Sequence, residues 1–493
     1  MSLFHILKQR VENSPEKIAI VIDNKEYSYK KFFKLVRNII IVFKRKKISK
    51  NSVIAIFEDN TILHAASLFA ISYLNATAVP LGTSYSFQQV RKFIKTSGAK
   101  FAIGNPNLLN FKEIRQRITF IKIDNLNNFN FYSNKQKNLN ISKKIDVNKN
   151  YIISMTSGST SNPKPIIFSQ KNKIIRYNLF KKLYKITKKD IIIISCPLTT
   201  SLGMRMLFLP LLTGCTCIIM KRFYPMLYLE YISKYKVTFS ALVSTQIDNL
   251  IKEKKHFKKF FLKKGLVSCS SKLFMNTKKI ILKKKINLHE MYGASEIGTV
   301  TSVNLNKNNS YLYKSVGKSY DRNIVIKILS KKNRFLRANK IGEIVCKTPG
   351  IFNGYLNEKN FTKNAFFKNY FKTGDVGYLN KRGYLFFLGR KKNIIKKSGI
   401  NIFLEDIENL LLENKQINEV SAVPIYNQKK NKIILFVKKE KGINYEIVRN
   451  FCLKNLSNQQ LPDKIMMIKK FPKTNSQKID RQRLKVIYNK SKS

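Results

Sequence analysis

Hydrophobic residues in the first half of the chain follow two alternating patterns. Short apolar runs predict buried strands, for example KIAIVI, SVIAIF, ATAVPL and KFAIGN. Longer segments with a helical period separate them, for example NTILHAASLFAISYLN and SFQQVRKFIKTSGA. Because alternating strands and helices form parallel sheets covered by helices, we expect an α/β fold of packed, mostly parallel sheets in this part.

The pattern changes twice further along the chain. From about Ser315, short strands such as NIVIKIL, GEIVCK and GYLFFLGR predict a β-rich subdomain. After GRKKN, two amphipathic helices and two strands predict a small α+β domain that ends in a basic tail. We therefore expect a large N-terminal domain of residues 1–391 and a small C-terminal domain of residues 392–493.

The most apolar stretch, residues 191–220, is long enough to raise the question of a membrane span. Two prolines, two glycines and Arg205 interrupt it, so it predicts a strand, a loop, a helix and a second strand instead. The N-terminus lacks the apolar core of a signal peptide, and the six cysteines lack zinc spacing. We expect no transmembrane segment, reduced core thiols and a cytoplasmic location.

The charge of the chain is extreme, with 94 Lys and Arg against 28 Asp and Glu and a formal net charge of +66. Such a charge suggests a nucleic-acid or membrane partner. The lysines, however, are spread from Lys8 to Lys492 among Ile, Asn, Phe and Tyr, a mixture typical of AT-rich codons. We interpret most of them as exposed positions that drifted to lysine, and expect no nucleic-acid partner.

One segment, MTSGSTSNPKP at residues 155–165, has the composition of an anion-binding loop. Small side chains let backbone N–H groups converge on a phosphate, hydroxyls add donors and a lysine adds positive charge. The segment follows the predicted strand YIISM, which places it at the sheet edge where ligands bind. Its spacing differs from the P-loop, and the same composition is typical of a plain turn, so both interpretations remain open.

Four later stretches carry further candidate chemistry. In MYGASEIG, the ring of Tyr292 can stack on a base and the carboxylate of Glu296 can hold Mg²⁺. In YFKTGDVGYLN, Asp375 is either a ribose-binding acid or a turn-stabilising one. GRKKN contributes Arg390, and FPKTNSQKIDRQRL contributes Lys478. Each stretch is weak evidence when it is taken alone.

Together and in this order, the five stretches resemble the adenylate-forming (AMP-binding) superfamily of acyl-CoA synthetases, aryl acid ligases, luciferases and peptide-synthetase adenylation domains. The resemblance covers nearly the whole chain. It implies a ligase that forms carbon–sulfur bonds: an acyl or aryl acid reacts with ATP to give acyl-AMP and pyrophosphate, and the acyl group then passes to CoA. This chemistry implies ATP, Mg²⁺ and CoA as cofactors and a role in fatty acid metabolism.

Two alternatives stay open beside the CoA ligase. The acyl group could instead be loaded onto the phosphopantetheine of an acyl carrier protein, and a basic surface would suit an acidic carrier. The chain could also be a catalytically degenerate basic protein that binds nucleic acid or a membrane on the same fold. Pro165, which stands where the family usually has glycine, removes a backbone donor and would weaken the phosphate loop.

The resemblance implies roles for individual residues. Glu296, preceded by Ser295, matches the acid that binds Mg²⁺, and Thr156 is implied in catalysis as well as binding. The residues that match the loop around the β- and γ-phosphates are Thr156, Ser157, Gly158, Ser159, Thr160 and Lys164. The residues that match the adenosine site are Ser270, Tyr292, Gly293, Asp375 and Arg390.

The resemblance makes the C-terminal domain a mobile lid. Lys392 stands at the position of the hinge, and Lys478 matches the catalytic lysine that contacts the carboxylate and the α-phosphate during adenylation. In the acid pocket, adenylation domains for α-amino acids have an aspartate that holds the ammonium, and the resemblance places that position at or beside Ser201. Since no acidic residue occurs in residues 191–222, an amino-acid substrate is disfavoured, and we expect an uncharged short, medium or aryl acid.

Overall fold

The computed structural model describes most of the chain. These are residues 1–82, 85–104, 118–121, 123, 143–155, 165–257, 260–269, 273–306, 310–397, 400–414, 416–426, 431–440, 442–474 and 479–491.

The first 390 residues contain helices and strands in alternation and then mostly strands. The strands are β1 (Ile18–Ile22), β2 (Lys25–Ser28), β3 (Val53–Phe57), β4 (Thr77–Leu81), β5 (Phe101–Gly104), β6 (Thr119–Ile121), β7 (Asn150–Met155), β8 (Pro165–Ser169), β9 (Ile191–Ile194), β10 (Thr216–Ile219), β11 (Phe239–Val243), β12 (Gly265–Cys269), β13 (Leu288–Ala294), β14 (Gly298–Asn304), β15 (Val325–Leu329), β16 (Gly342–Lys347), β17 (Gly354–Tyr355), β18 (Phe366–Phe367), β19 (Tyr370–Leu379) and β20 (Leu385–Arg390). The α-helices are α1 (Leu3–Asn13), α2 (Tyr29–Arg45), α3 (Ile62–Leu74), α4 (Phe87–Ser97), α5 (Gln170–Leu183), α6 (Ser201–Thr213), α7 (Pro225–Lys234), α8 (Ser244–Lys252), α9 (Lys254–Phe257), α10 (Met275–Lys283) and α11 (Lys359–Asn364).

Two large sheets form the centre of this part. Their strand orders are β14-β13-β12-β11-β9-β10-β1-β2 and β17-β8-β7-β4-β3-β5-β6. Neighbouring strands are parallel except at one or both edges, where β1–β2, β13–β14, β7–β8 and β8–β17 are antiparallel. The predicted architecture of packed, mostly parallel sheets is therefore confirmed.

Alternate residues of the central strands enter different hydrophobic cores, because successive side chains of a strand point to opposite faces. Ile192 and Ile194 of β9 pack in a core that contains residues of both sheets and of α1, α2, α3, α5 and α6. Ile193 packs on the other face with α7, α8 and α10. Ile54 of β3 joins the shared core, whereas Ala55 packs with α4. The sheets and helices thus form successive layers.

The two helices of the shared core that approach the candidate site begin at side-chain caps. The N-cap residue of α5 is Ser169, whose side chain accepts from the backbone N–H of Asn172. The N-cap residue of α6 is Thr200, whose hydroxyl oxygen accepts from the N–H of Gly203 at 3.0 Å. A Cβ on Gly203 would lie 2.0 Å from the carbonyl oxygen of Pro197, so this turn requires glycine.

A smaller antiparallel sheet follows, as the sequence predicts. Its order is β15-β16-β19-β18, with β20 paired to β19, and Asp375 of β19 stands opposite Arg390 of β20. A 3₁₀ turn covers Ser310–Lys314 before this sheet, and another covers Lys391–Asn393 after it.

The C-terminal part has its own hydrophobic cores. Its elements are β21 (Ile394–Lys397), β22 (Ile400–Phe403), α12 (Leu404–Leu411), β23 (Val420–Ile425), β24 (Lys432–Lys438), α13 (Tyr445–Asn455), β25 (Lys464–Ile468) and α14 (Arg481–Lys490). The cores of the N-terminal part extend to Leu385, and those of the C-terminal part begin at Ile395. The boundary at residues 391 and 392, which lies between them, stays a proposal.

The basic tail predicted at the C-terminus contains a helix, α14, that the sequence analysis did not predict. Helix α14 buries Leu484 and Tyr488 against Val423 and Phe436, because its apolar residues recur at helical spacing among the lysines. The strand–helix–strand prediction for residues 191–220 is confirmed by β9, α6 and β10. None of the described helices is long and apolar enough to cross a membrane. All six cysteines are buried, and none forms a disulfide.

Candidate active site

Three of the predicted adenosine residues meet at one buried carboxylate. Asp375 and Arg390 are opposite residues on β19 and β20, and Nε of Arg390 lies 2.7 Å from Oδ1 of Asp375. Tyr292 reaches the same carboxylate from β13 and donates its hydroxyl to Oδ2 at 2.6 Å. Asp375 is only 2% exposed, so these charge-assisted contacts compensate for its burial.

The turn before Asp375 is held by further hydrogen bonds. The backbone N–H of Asp375 donates to the hydroxyl oxygen of Thr373 at 3.1 Å, and that of Gly374 donates to Glu343 at 3.2 Å. Burial, and then the charge of Asp375, raise the pKa of Tyr292 well above its ordinary value. The Tyr292 hydroxyl therefore remains a donor at neutral pH. The centre of the Tyr292 ring lies 6.0 Å from that of the Phe387 ring.

The predicted magnesium-binding acid follows Tyr292 in the turn between β13 and β14. A Cβ on Gly293 would lie 2.0 Å from the carbonyl oxygen of Gly298, so the hairpin requires glycine beside Tyr292. The carboxylate of Glu296 is partly exposed and accepts a hydrogen bond from the Tyr355 hydroxyl at 3.2 Å. Burial and this carboxylate raise the pKa of Tyr355.

The position of Glu296 suits the phosphate side of a nucleotide site. Tyr355 lies opposite Ile166 in β8, the strand that follows the predicted phosphate loop. A single accessible carboxylate is the protein ligand expected for Mg²⁺ that is held mainly by substrate phosphates and water. The described residues contain no cluster of three or more His, Cys, Asp or Glu side chains that could hold a metal on their own.

Arg176 of α5 fixes the backbone of this turn, and no motif in the sequence indicates this role. Its guanidinium donates to the carbonyl oxygens of Gly350 at 2.6 Å, Ser295 at 2.9 Å and Glu296 at 2.7 Å. Burial lowers the pKa of Arg176 to about 9. With 94 basic residues in the chain, no spacing rule separates this arginine from the rest; only the fold brings α5 beside the turn.

Ser201, expected in the acid pocket, is the first residue of α6 and lines a small cavity. Three basic residues line the same cavity: Lys173 and Arg176 of α5 and Arg205 of α6. The expectation of an uncharged acid depended on the absence of acidic residues near Ser201 and did not consider basic ones. Arg205 lies one helical turn after Ser201 and therefore on the same face of α6, a spacing that is visible in the sequence.

The remaining predicted site residues lie outside the described part of the chain. They are Thr156, Ser157, Gly158, Ser159, Thr160, Lys164, Ser270 and Lys478. The residues that flank the predicted phosphate loop, Met155 and Pro165, stand opposite each other in the antiparallel pair β7–β8. The predicted hinge residue Lys392 lies in the 3₁₀ turn, where its carbonyl oxygen accepts from the Tyr426 hydroxyl at 2.9 Å.

Comparison with known proteins gives matches over nearly the full length of the chain. Residues 7–356 match a protein family described as AMP-binding enzyme. A 2-succinylbenzoate–CoA ligase from Geobacillus sp. (strain WCH70) is 22% identical over 484 residues, which cover 97% of this chain and 96% of that protein. An uncharacterized acyl–CoA ligase, YhfT, from Bacillus subtilis (strain 168) is 23% identical over 487 residues, which cover 98% of each.

Solved structures match the fold at a similar level of identity. O-succinylbenzoate Coenzyme A synthetase (MenE) from Bacillus subtilis, in complex with ATP and magnesium ion, superposes with a TM-score of 0.88 at 21% identity and covers 98% of this chain and 99% of that chain. Its complex with the acyl-adenylate intermediate OSB-AMP gives a TM-score of 0.86 at 21% identity, with 98% of each chain covered.

Proposed function

Because the chain belongs to the AMP-binding enzyme family, we propose that it is an ATP-dependent carboxylic acid–CoA ligase. It activates an acyl or aryl acid as acyl-AMP with release of pyrophosphate and then transfers the acyl group to the thiol of CoA. The family match, over residues 7–356, agrees with the resemblance of the five sequence stretches. The relatives that are named acid–CoA ligases and align over almost all of their own length support the reaction.

The observation that carries the proposal is the convergence of Tyr292, Asp375 and Arg390, which lie up to 98 positions apart in the chain. A buried carboxylate can accept hydrogen bonds from two neighbouring ribose hydroxyls, and a ring beside it can contact the base. In this proposal Ser270 and Gly293 complete the wall beside the adenine. Arg390 places its positive charge beside the Asp375 carboxylate.

The reaction requires two anions to meet, since a carboxylate must attack the α-phosphate of ATP. The proposed phosphate loop, Thr156–Lys164, and Lys478 supply donors and positive charge that offset this repulsion. Mg²⁺ bound at Glu296 would neutralise charge on the phosphates. Arg176 orients Glu296 through the backbone, and rotation of residues 392–493 about Lys392 would then exchange Lys478 for the incoming thiol.

We also propose a cytoplasmic location. All six cysteines are buried thiols outside any disulfide, as in proteins of a reducing compartment. The same compartment supplies ATP and CoA, which would place the enzyme in fatty acid metabolism or a related use of activated acids.

The decisive experiment is acid-dependent exchange of labelled pyrophosphate into ATP, measured over a panel of carboxylic acids. We expect exchange with at least one class of acid, and its loss in Lys478→Ala. Release of AMP with CoA, compared with release with an acyl carrier protein, then identifies the acceptor. If AMP is released with the carrier protein and not with CoA, the acyl acceptor is a carrier-protein phosphopantetheine.

The same experiments also test the alternative that the protein is a basic nucleic-acid- or membrane-binding protein and not a ligase. If no acid supports exchange, and if salt-sensitive binding to nucleic acid or anionic vesicles survives in Lys478→Ala, the ligase proposal is wrong. Such a result would favour a degenerate binding protein on the same fold.

A further inference from the structure

The cavity beside Ser201 has an unusual lining for the interior of a protein. We call it the cation cavity; it is lined by Lys173, Arg176, Tyr177, Ser201, Arg205 and Phe208. Lys173 and Arg176 lie one helical turn apart on α5, and α6 packs against α5 and brings Arg205 to the same space. Lys173 is only 5% exposed.

The three cations differ in how their charge is compensated. Arg176 donates to three carbonyl oxygens, as described above. Nζ of Lys173 lies 3.6 Å from the centre of the Phe168 ring, and the guanidinium of Arg205 donates to the Thr299 hydroxyl at 2.6 Å. In the part of the chain that the structure describes, no carboxylate forms an ion pair with Lys173 or Arg205.

The cations therefore repel one another without an anion between them. Burial, and then the charges of Arg176 and Arg205, lower the pKa of Lys173 well below its ordinary value. Burial also lowers the pKa of Arg205. Buried charges are normally paired, because the loss of hydration is compensated only by a partner. An anion that enters the cavity would supply that partner.

We place the cavity beside the acid pocket of the proposed active site. The resemblance places the aspartate by which amino-acid adenylation domains hold their substrate at or beside Ser201, and Thr299 comes three residues after Glu296. An adjoining cavity is lined by Arg205, Gly298 and Thr299, among others. The hydroxyl of Tyr320 donates to the carbonyl oxygen of Thr299 at 2.9 Å and fixes this wall.

We propose that the cation cavity binds a second anionic group of the acid substrate, so that the preferred substrate is a dicarboxylic acid. Lys173 and Arg205 are then specificity-determining residues that contact the carboxylate remote from the reacting one. The proposal rests on the proposed ligase function and replaces the uncharged acid expected from the sequence. In this proposal the substrate supplies the negative charge that pairs with Lys173 and Arg205.

The size of the cavity limits the group that can enter. Its volume is about 10 Å³, which is close to the room needed by one water molecule. A carboxylate is larger than one water molecule, so in this proposal the long Lys173 and Arg205 side chains move to admit it. An apolar ring would require a larger opening. A compact charged end of a substrate is therefore favoured over a bulky neutral one.

The test compares two acids and three variants in the pyrophosphate-exchange assay. The acids are a straight-chain dicarboxylic acid and the monocarboxylic acid of the same carbon number, over a series of lengths. We expect the best dicarboxylic acid to exceed its monocarboxylic match in kcat/KM by about 100-fold or more. In Arg205→Met and in Lys173→Met, that ratio should fall by about 30-fold or more, because a buried carboxylate loses its partner.

The matched control is Lys171→Met, which removes an exposed lysine from the first turn of the same helix and should leave the ratio unchanged. Equal use of the two acids by the wild-type protein would overturn the proposal. It would also be overturned if the cavity variants raised the KM for ATP and left the ratio of the two acids intact, since the anion would then be a phosphate.

A separate readout distinguishes failure of this proposal from failure of the ligase function. If no acid supports exchange, calorimetric binding of the dicarboxylic acids to the wild-type protein and to Arg205→Met decides. Binding that weakens in the variant supports an anion site in the cavity. Binding that is absent from the wild-type protein, or equal in both proteins, refutes it.

Discussion

Two buried lysines in this protein have opposite surroundings. Lys278 of α10 is 1% exposed, forms an ion pair with the buried Glu290 and donates to the carbonyl oxygen of Tyr313 at 2.6 Å. Lys173 of α5 is buried almost as deeply, but the charges that act on it are those of Arg176 and Arg205. The first lysine completes a structural network, whereas the second leaves a positive charge for which the described residues provide no acid.

The difference separates charges that support the fold from charges that await a ligand. Asp375 is paired as Lys278 is, since Arg390 and Tyr292 contact its carboxylate. An unpaired buried charge costs stability, and a protein that retains one gains from it only when a partner of opposite charge binds. Substitutions of the paired and the unpaired residues should therefore have opposite effects on stability.

The largest expected effect is in the paired lysine. Lys278→Met removes the cation beside the buried Glu290 and leaves the backbone N–H of Leu273, at 3.1 Å, as its remaining donor among the described residues. We expect a loss of about 3–5 kcal/mol in the free energy of unfolding, measured by urea denaturation. The double variant Lys278→Met/Glu290→Leu should recover most of this loss. A single variant as stable as the wild type would show that the ion pair does not support the fold.

The next effect concerns activity at the paired carboxylate. Asp375→Asn keeps the shape of the side chain and removes the charge, so adenylation should fall by about 10²–10³, measured by pyrophosphate exchange. Tyr292→Phe is the matched variant: it keeps the ring, removes one hydrogen bond and should cost only about 1 kcal/mol, or fivefold. Full activity of Asp375→Asn would show that the charge of Asp375 does not contribute to adenylation.

Arg176→Met should be intermediate. The change removes one donor from each of three carbonyl oxygens, of which that of Glu296 still accepts from the N–H of Phe352 at 2.8 Å. We expect a loss of about 3 kcal/mol in the free energy of unfolding. Because two of these carbonyls belong to Ser295 and Glu296, the Mg²⁺ concentration for half-maximal exchange should also rise. A loss of stability without a change in the Mg²⁺ requirement would limit Arg176 to a structural role.

We expect the smallest change in the free energy of unfolding for the unpaired lysine, and we expect it to have the opposite sign. Lys173→Met removes a buried charge without orphaning a described acid, so at about pH 7 stability should stay the same or rise by about 1 kcal/mol. The pKa of Lys173 is lowered in the folded protein, so below its ordinary value of 10.5 the unfolded chain binds more protons. The wild type therefore loses stability as pH falls from 10.5, and the advantage of the variant should grow in that direction.

Urea denaturation of both proteins between neutral and alkaline pH checks this prediction, with Lys171→Met as the exposed control. A variant that is destabilised at every pH, or whose advantage does not change with pH, would show that the Lys173 charge has a partner in the folded protein.

The sequence allowed the fold to be predicted because its signals are local. Short apolar runs separated by amphipathic segments specify parallel sheets with helices, and β9, α6 and β10 lie where the pattern of residues 191–220 places them. Helix α14 escaped prediction because its few apolar residues, such as Leu484 and Tyr488, are diluted by basic ones. Its helical state depends on burial against Val423 and Phe436.

The site could be predicted only in part. Tyr292, Glu296, Asp375 and Arg390 stand in short stretches whose order resembles a family, so the sequence alone named them. The structure brings three of these residues to one carboxylate, and it adds Arg176, which no motif contains.

The amino-acid sequence by itself determined the strand and helix pattern, the order of the five motif stretches and the family to which they point, because each depends on residues that are near one another in the chain. Only the tertiary structure decided which basic residues are buried and which of them have partners. That outcome depends on how α5, α6 and the β13–β14 turn pack together, and such contacts between distant segments leave no pattern in a chain with lysine throughout.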